Sequence, residues 1–404
     1  MSVVVQKFGG SSVATPDLIK HVAGRVAATR DRGKDVVVVV SAPGDTTDDL
    51  IAMSRQITAD PAPREMDMLL ATGEQVSVSL LAMALHARGY QAISLTGAQA
   101  LIRTEPVHLR ARIFNIDRSR VDRELAAGRI VIVAGFQGTT DDGEITTLGR
   151  GGSDTTAVAL ASALDAEICQ IYTDVEGVFT ADPRVVPGAR KLAQISYDEM
   201  LEMASSGALV LQTRAAEFAK QYLVPLEVRS TFVDRGGTLV TDRAIEGRRL
   251  VTAVTHDRNV AKIAATGVKD RPGVAHTLFR AIADRHVNVN LIIQSVPQAQ
   301  GADISFTVAR SDMAAAVEAA RSVAKEIGAR DILADESVAM VSIVGAGMIT
   351  NPGVAAKMFG VLAAHGINIE LIATSEIKIS CVVQADDAEK AVRVLHAEFK
   401  MDEE

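Results

Sequence analysis

The hydrophobic pattern of the N-terminal part alternates between buried strands and amphipathic helices. Apolar runs at Val3 to Val5, Val36 to Val40 and Ile130 to Phe136 are typical of strands covered on both faces of a sheet. Another apolar strand is predicted at Glu167 to Thr173, and residues 65–89 show helical periodicity with a break at Thr72-Gly73. Strands that alternate with helices predict an α/β fold, with a mainly parallel sheet between two helical layers.

The basic stretch of residues 103–123 does not follow this pattern, and we expect a partly exposed helix and loop there. A helix is predicted after Thr15, because Thr15 can cap its N-terminus and Pro16 suits its first position.

From residue 250 onward the pattern changes and occurs twice. Each copy reads βαββαβ, a ferredoxin-like module, and the copies align through Pro-Gly-Val at 272–274 and 352–354. The second copy ends after its last helix and lacks a fourth strand, whereas a spare strand, Leu250 to Thr255, precedes the first copy. We therefore expect the spare strand to join the second sheet.

The two patterns divide the chain into three domains and a linker. We expect an N-terminal domain at 1–240, a polar linker at 241–249, a first module at 250–336 and a second at 337–404. With 48% hydrophobic and 23% charged residues over 404 positions, the chain is expected to bury large cores.

Charge and composition exclude several classes of protein. A net charge of −8, no Trp and 3% aromatic residues argue against nucleic acid or an anionic membrane as the main partner. No apolar run approaches the roughly 20 residues that span a bilayer, and the first residues form a strand without a leader pattern. Cys169 and Cys381 lie in apolar runs, as buried thiols of a reducing compartment do. These features predict a cytoplasmic protein, and the 8 histidines show no metal-ligand spacing.

Glycines and polar residues cluster where the predicted strands end. The segment KFGGSS at 7–12 follows the first strand and resembles a phosphate cradle, although the chain has no GxxxxGK[ST] loop. The segment SAPGDTT at 41–47 follows the second strand. Ligands of open α/β sheets bind at the carboxyl ends of strands, so these two segments are candidates for a binding site.

The segment TTLGRGGSDTTA at 146–157 is a third candidate. Its glycines let the backbone approach a ligand, the free N–H groups at a helix start favour an anion, and Arg150 suits a carboxylate or phosphate. The alternative is an ordinary strand-to-helix turn with Ser153 as the helix cap.

Two further candidates for the binding site each have a purely structural alternative. Glu74 can accept a substrate ammonium or can be a solvated or capping carboxylate. Residues 177–184 can hold a nucleotide with an aromatic ring and Arg184, or can form a surface hairpin.

These motifs, in this order, resemble the aspartokinases of the amino acid kinase superfamily, and the resemblance covers nearly the whole chain. The motifs are KFGGSS at 7–12, SAPGDTT at 41–47, GE at 73–74, TTLGRGGSDTTA at 146–157 and YTDVEGVFTADPR at 172–184. The doubled C-terminal modules resemble the two ACT domains of that family.

The resemblance implies an amino acid kinase-type α/β/α domain that transfers a phosphoryl group from ATP to the side-chain carboxylate of L-aspartate. It implies catalytic roles for Lys7 and Asp154. Implied substrate-binding residues are Thr47, Glu74, Arg150, Gly151, Gly152 and Ser153. Implied ATP-binding residues are Lys7, Phe8, Gly9, Gly10, Ser41, Thr173, Asp174, Phe179, Asp182 and Arg184. Mg²⁺ is expected with ATP, held mainly by phosphate oxygens and water and not by a protein metal site.

The resemblance also implies regulation. The product, 4-phospho-L-aspartate, starts the routes to lysine, threonine and methionine, and feedback by lysine, threonine or both is expected. Implied effector-binding residues are Asp270, Arg271, Pro272, Gly273, Val274, Asn290, Gln294, Asn351, Asn368, Ile369 and Glu370. A homo-oligomer, dimer or tetramer, paired through ACT domains is expected.

Two departures from the family leave alternatives open. Leu209 stands where the family often has a lysine that reaches the nucleotide, so Arg184 or Lys220 would replace it. Pro43 stands where a methionine is common. A kinase for another acid, or a non-catalytic amino acid sensor with a decayed kinase domain, are the alternative functions.

Overall fold

The computed structural model describes residues 2–208, 210–242, 250–296 and 301–403. The chain divides into two compact units. The first contains Met1–Val178, Lys191–Ala204 and Leu209–Ile245, and the second contains Phe179–Arg190, Ser205–Ala208 and Glu246–Glu404.

The first unit is built from alternating strands and helices. Its strands are β1 (Val3–Phe8), β2 (Asp35–Val40), β3 (Ala92–Leu95), β4 (Ile102–Thr104), β5 (Ile113–Ile116), β6 (Ile130–Ala134), β7 (Gln137–Thr139), β8 (Ile145–Thr147), β9 (Ile168–Thr173), β10 (Gln194–Ser196), β11 (Leu226–Ser230) and β12 (Thr238–Thr241). Its helices are α1 (Pro16–Asp31), α2 (Thr46–Ile57), α3 (Pro63–Leu70), α4 (Thr72–His86), α5 (Ser119–Ala126), α6 (Gly152–Ala163), α7 (Tyr197–Ser205) and α8 (Thr213–Tyr222).

Eight strands form the main sheet in the order β10-β12-β11-β9-β1-β2-β6-β3. All neighbours are parallel except β11 and β12. Helices α1 and α4 pack over β2 on the face that carries Phe8, and α6 packs against β1 on the other face. The prediction of a mainly parallel sheet between helical layers is confirmed.

Helix α1 begins where its capping residues predicted. The side chain of Thr15 accepts a hydrogen bond of 3.3 Å from Leu18 N, and Pro16 occupies the first helical position. Its apolar face, which includes Val22 and Val26, is buried in the core under β2. The cap and the apolar stripe therefore determine the start and the orientation of the helix.

The basic stretch of residues 103–123 differs from the prediction. It contributes β4 and β5 to a second sheet of order β5-β4-β7-β8, and only its last part is helical, in α5. These strands have three or four residues, too few to show a period, and β4 pairs with the distant β7. The helix-and-loop prediction was therefore wrong for β4 and β5.

The second unit contains two antiparallel modules with helices. The first module contains β14 (Val260–Val268), α9 (Val274–Asp284), β15 (Val289–Gln294), β16 (Ala302–Ala309), α10 (Met313–Ile327) and β17 (Asp331–Asp335). The second contains β18 (Val338–Val344), α11 (Val354–Ala364), β19 (Leu371–Thr374), β20 (Lys378–Gln384) and α12 (Ala388–Glu398). Each module buries its own apolar core.

A strand from outside the second module completes its sheet. The strand β13 (Ala253–Asp257) pairs antiparallel with β18, so the sheets read β15-β16-β14-β17 and β13-β18-β20-β19. The β13 strand precedes the first module in the chain, so the two modules are interlocked. Residues 243–249 of the expected linker lie outside the described residues.

The helical stretch Pro63–His86 is long and apolar enough to cross a membrane by length and composition alone. The mean hydropathy of its most apolar part is 1.5, but half of that part is buried inside the fold. It comprises α3 and α4, which are interrupted at Ala71 and pack against neighbouring elements of the first unit. These observations fit a core helix pair.

Candidate active site

Three strand ends meet at one edge of the main sheet. In the parallel register, Phe8 at the end of β1 lies opposite Val40 of β2 and Tyr172 of β9. The residues that follow, Gly9, Ser41 and Thr173, are therefore at the same carboxyl edge. The N–H of Ser41 donates to the carbonyl oxygen of Phe8 over 3.1 Å, which ties two of these ends together.

A lysine–carboxylate pair lies at this edge, on the α6 side of the sheet. Lys7 Nζ of β1 is 2.5 Å from Asp154 Oδ1, and the two side chains are only 12% and 9% exposed. Asp154 lies in the first turn of α6, which begins two residues after Arg150. The pair therefore places a shielded ammonium group beside the glycine loop.

Left-handed glycines shape that loop. Gly149 has φ of 77° and Gly151 has φ of 73°. A Cβ on Gly151 would lie 2.0 Å from the Cγ atom of Gln212, so a side chain cannot be accommodated without movement. Gly151, and not Ser153, is the N-cap of α6, because the helix already begins at Gly152. The prediction of Ser153 as the helix cap is therefore wrong.

The polar residues of the loop differ in exposure. Ser153 is buried, whereas Arg150 is exposed and forms no hydrogen bond or ion pair with the described residues. An unengaged guanidinium next to shielded N–H groups is suited to bind an anion.

The turns after β1 and β2 pack closely against the start of α4. A Cβ on Gly10 would lie 2.9 Å from the carbonyl oxygen of Ala42, and one on Gly73 would lie 2.7 Å from the Cβ of Ala42. The N–H of Gly44 also donates to Gly10 O over 3.0 Å. These contacts require glycine and bring three motifs that are distant in sequence to one place.

Glu74 is a buried carboxylate at this place. It is 2% exposed, so the alternative of a solvated side chain is wrong. Its Oε1 accepts a hydrogen bond of 3.1 Å from Ala42 N, and its buried Oε2 has no partner among the described residues. Burial raises the pKa of Glu74 to about 7. A cationic ligand would satisfy the free oxygen and favour the charged carboxylate.

The remaining polar candidates of the first unit also lie at strand ends or helix starts. Thr47 is in the first turn of α2 and is half-buried. Thr173 Oγ1 donates to Asp174 Oδ1 over 3.0 Å, and Thr173 O accepts a hydrogen bond from Thr231 N. Lys220, a substitute for the missing family lysine, is engaged with Asp198 at 2.6 Å.

Sequence reasoning missed Asp67, a fully buried carboxylate of α3. Asp67 accepts hydrogen bonds from Thr147 Oγ1 at 2.5 Å and from Leu109 N at 3.1 Å, and it pairs with His108 Nδ1 at 2.6 Å. It therefore anchors β8, which leads into the glycine loop. The signal was weak, because Asp67 lies within an amphipathic helical pattern where a charged residue is ordinary.

Phe179, Asp182 and Arg184 belong to the second compact unit. Asp182 accepts hydrogen bonds from the backbone and guanidinium of Arg184, and the Arg184 side chain is 85% exposed. Hydrogen bonding to Arg184 lowers the pKa of Asp182. Thr180 N donates to Arg190 O over 2.9 Å, so the chain folds back between residues 180 and 190. Leu209 lies outside the described residues.

A small cavity lies in the first module of the second unit. Its volume is ≈ 110 Å³. Five of the expected effector-binding residues line it: Asp270, Arg271, Gly273, Val274 and Gln294. Pro272 and Asn290 are exposed and are not among its lining residues.

The corresponding residues of the second module are arranged differently. Asn351 donates to Gly347 O over 2.8 Å, and Asn368 is exposed. Ile369 packs against the core of the module. Glu370 forms an ion pair with Lys262 of β14 and accepts a hydrogen bond from Gln384. Glu370 therefore links the two modules of this unit.

The described residues include no group of three or more His, Cys, Asp or Glu that could hold a metal ion. A Mg²⁺ ion that arrives with a nucleotide can take its ligands from phosphate oxygens and water, and such binding needs no protein cage.

This fold and site define an amino acid kinase domain followed by two ACT modules. Residues 2–230 match the Amino acid kinase family, and residues 262–323 and 341–399 match the ACT domain. The chain is 52% identical to the aspartokinase of Geobacillus stearothermophilus, over 100% of this chain and 98% of the relative. It is 50% identical to the aspartokinase of Pseudomonas aeruginosa, with the same coverage.

Solved structures agree with these relatives. E. coli aspartokinase III in complex with aspartate and ADP matches with a TM-score of 0.83 and 28% identity, over 98% of this chain and 99% of that one. The same enzyme in complex with lysine and aspartate matches with a TM-score of 0.74 and 26% identity, over 98% and 99%. The chain belongs to the aspartokinase family, and it is an aspartate kinase.

Proposed function

We propose that this enzyme transfers the terminal phosphoryl group of ATP to the side-chain carboxylate of L-aspartate, which gives 4-phospho-L-aspartate. The observation that carries the proposal is the shielded Lys7–Asp154 pair, at 2.5 Å, beside the glycine loop. The complex of E. coli aspartokinase III with aspartate and ADP supports the choice of both substrates.

Lys7 and the N–H groups of Gly9 and Gly10 stabilise the migrating phosphoryl group. Phosphoryl transfer depends on positioning and on neutralisation of charge, and both are supplied by a fixed ammonium group and backbone donors. Asp154 holds the Lys7 ammonium in place. No general base is needed, because the acceptor carboxylate is already ionised at neutral pH.

Arg150 and Glu74 recognise the two charged ends of aspartate. The exposed, unengaged guanidinium of Arg150 binds a carboxylate, and the free Oε2 of buried Glu74 accepts the α-ammonium group. Further substrate contacts come from Thr47, Gly151, Gly152 and Ser153. A buried carboxylate that is unsatisfied without ligand gains most from a cationic partner.

Phe8, Ser41, Thr173 and Asp174 bind the nucleotide. The family resemblance implies the same role for Phe179, Asp182 and Arg184. Mg²⁺ bound to the phosphates would supply charge neutralisation to the transferring group. The domains that perform these roles are 1–240 for catalysis, 241–249 as linker, and 250–336 and 337–404 as ACT modules.

The product is the starting compound for the biosynthesis of lysine, threonine and methionine. We place the enzyme in the cytoplasm, as a homo-oligomer paired through its ACT modules. The exposed side chain of Ile292 on edge strand β15, 56% accessible, is consistent with such pairing. Cys169 and Cys381 are buried free thiols, as expected in a reducing compartment.

A hydroxamate-trapping assay with aspartate, glutamate and no acid tests the reaction. We expect product with aspartate alone and a loss of turnover of at least 100-fold (on the order of 3 kcal/mol) in Lys7→Ala, because the main cation at the phosphoryl group is lost. Lys20→Ala is the control, since Lys20 is 68% exposed on α1. The proposal would be contradicted if the enzyme phosphorylated glutamate and did not phosphorylate aspartate, or if Lys7→Ala kept normal turnover.

Lysine, threonine or both inhibit the enzyme through the effector cavity of the first module. Asp270 and the turn N–H groups near Gly273 can hold the charged ends of an amino acid. Effector coupling of this kind is typically about 1–3 kcal/mol. Activity titrated with each amino acid, alone and together, should fall in wild type and be unaffected in Asp270→Asn. Inhibition that survives in Asp270→Asn would move the effector site elsewhere.

A further inference from the structure

A second cavity lies in the first unit, on the face of the main sheet opposite Lys7. Its volume is ≈ 340 Å³. Its floor includes Gln170 and Tyr172 of β9 and Arg229 of β11, and its wall is α1. Side chains alternate along a strand, and Tyr172 stacks on Phe8 with ring centroids 4.6 Å apart, whereas Lys7 points to α6. The cavity is therefore separate from the candidate active site.

Positive charge dominates the lining. Four arginines and one histidine line the cavity, and Asp234 is the one carboxylate among the lining residues. The cationic and ionisable lining residues are His21, Arg25, Arg32, Arg88 and Arg229. Asp234 is 89% exposed and stands 3.7 Å from Arg25 and 3.9 Å from Arg229. Ion pairs with so exposed a partner contribute little, so Asp234 compensates little of the charge of Arg25 and Arg229.

Two of the guanidinium groups are held close together. Arg25 and Arg229 lie 5.7 Å and 5.9 Å from the centroid of the same Tyr172 ring, and their side chains are only 13% and 18% exposed. The Nε of Arg229 is buried and has no hydrogen-bond partner among the described residues. Glu227 forms an ion pair with Arg229 at 3.4 Å. Among the described residues, Arg25 has Asp234 as its one carboxylate partner and donates to His21 Nε2. Shielded like charges of this kind favour an anion between them.

Arg32 and Arg88 add two further guanidinium groups to the lining. Arg32 follows the C-terminus of α1 and is exposed, and its side chain forms no hydrogen bond or ion pair with the described residues. Arg88 donates to the Lys20 carbonyl oxygen through Nη2, which leaves its other donors available. Guanidinium groups recognise phosphate and carboxylate oxygens in pairs of parallel hydrogen bonds.

We propose that this cavity is a binding site for a small organic polyanion, a phosphate ester or a polycarboxylate, held by Arg25, Arg32, Arg88 and Arg229. Its volume is at the lower end of the range of roughly 300–1,000 Å³ for small-molecule sites, which suits a compact metabolite. The proposal is independent of the kinase reaction, because the cavity lies on the face of the sheet opposite the Lys7–Asp154 pair.

Isothermal titration calorimetry on the full chain tests the site. The probes are inorganic pyrophosphate and citrate, titrated separately into protein saturated with ADP, so that the nucleotide site is blocked. Arg32→Glu is the main variant, because the Arg32 side chain is exposed and the described residues give it no hydrogen bond or ion pair whose loss would unfold the protein. Arg55→Glu is the matched control, since Arg55 is also exposed near a helix C-terminus and forms no ion pair with the described residues.

We expect one probe molecule per chain, with Kd raised at least tenfold in Arg32→Glu and unchanged in Arg55→Glu. Arg25→Gln, which keeps much of the side-chain volume, should also raise Kd. Binding of pyrophosphate alone identifies a phosphate ester, and binding of citrate alone identifies a polycarboxylate. The proposal is overturned if neither probe binds at millimolar concentration, or if Arg32→Glu and Arg55→Glu weaken binding equally.

Discussion

At the scale of single residues, Glu74 shows how burial converts an ordinary carboxylate into a recognition group. The N–H of Ala42 donates to Oε1 of Glu74, and Oε2 forms no hydrogen bond with the described residues. Desolvation raises the pKa of Glu74 to about 7. The same desolvation destabilises the charged carboxylate when it has no ligand, so binding of a cationic group to it is favourable.

The substitution Glu74→Gln should stabilise the protein at alkaline pH. The pKa is raised from 4.5 to about 7 on folding, so the folded state binds more protons and wild type loses stability as pH rises between these values. At pH 8, Glu74→Gln should exceed wild type in free energy of unfolding by up to about 3 kcal/mol, and at pH 4 the two should agree. Urea unfolding at both values of pH measures this difference.

Glu74→Gln should at the same time raise the aspartate KM, because a neutral amide cannot pair with an ammonium group. A difference in stability that does not change with pH would show that Glu74 is already ionised in the free protein throughout this range.

At the scale of elements, the glycine loop depends on backbone conformation. Gly151→Ala should lower kcat/KM for aspartate by at least tenfold, because a Cβ meets Gln212 and φ is left-handed. Gly143→Ala is the matched control, with φ of +87° and no atom within 4 Å of the added Cβ. We expect Gly143→Ala to cost about 1 kcal/mol of stability and to keep normal kinetics. Equal kinetic losses in both variants would refute the role of the Gln212 contact.

A second element-scale prediction concerns Asp67, which anchors β8 to α3. Asp67→Asn replaces an acceptor-only carboxylate with an amide, so one of its buried donors loses its partner. We expect a loss of about 2–3 kcal/mol in free energy of unfolding and a higher aspartate KM. Asp17→Asn is the control, because Asp17 is 91% exposed, and it should change stability by less than about 0.5 kcal/mol. An unchanged KM in Asp67→Asn would limit Asp67 to a purely structural role.

At the scale of the whole molecule, the two ACT modules form one unit. Val260 of β14 packs with Val338, Met340 and Val382 of the second module. Lys262, on the same strand as Val260, forms an ion pair with Glu370 of the second module. The β13 strand adds a covalent crossover between the modules. A conformational change in one module should therefore alter the conformation of the other.

Glu370→Ala should weaken this connection. Lys262 is 24% exposed and would keep only Asp335, at 4.0 Å, so we expect a loss of about 1–2 kcal/mol in thermal unfolding of the second unit. Glu318→Ala is the control, since its pair with Arg285 is exposed and should contribute less than about 1 kcal/mol. A loss no larger than that of the control would show that the apolar cluster alone joins the modules.

The amino-acid sequence by itself determined the alternation of strands and helices, the repeated modules and the glycine motifs. These features are local: burial on both faces gives an apolar run, and a cap or a left-handed turn needs particular residues. Helix α1 after Thr15 and the buried strand β2 at Asp35–Val40 follow from such signals.

Only the tertiary structure decided which distant groups meet. The short strands β4 and β5 exist because β7 offers them a partner, and no periodicity over three or four residues can show this. Residues from separate elements meet in the Lys7–Asp154 pair and in the contacts of Asp67 with β8. They also meet in the cavity lined by four arginines. Their energies depend on burial and on distances between side chains, and a linear pattern contains neither.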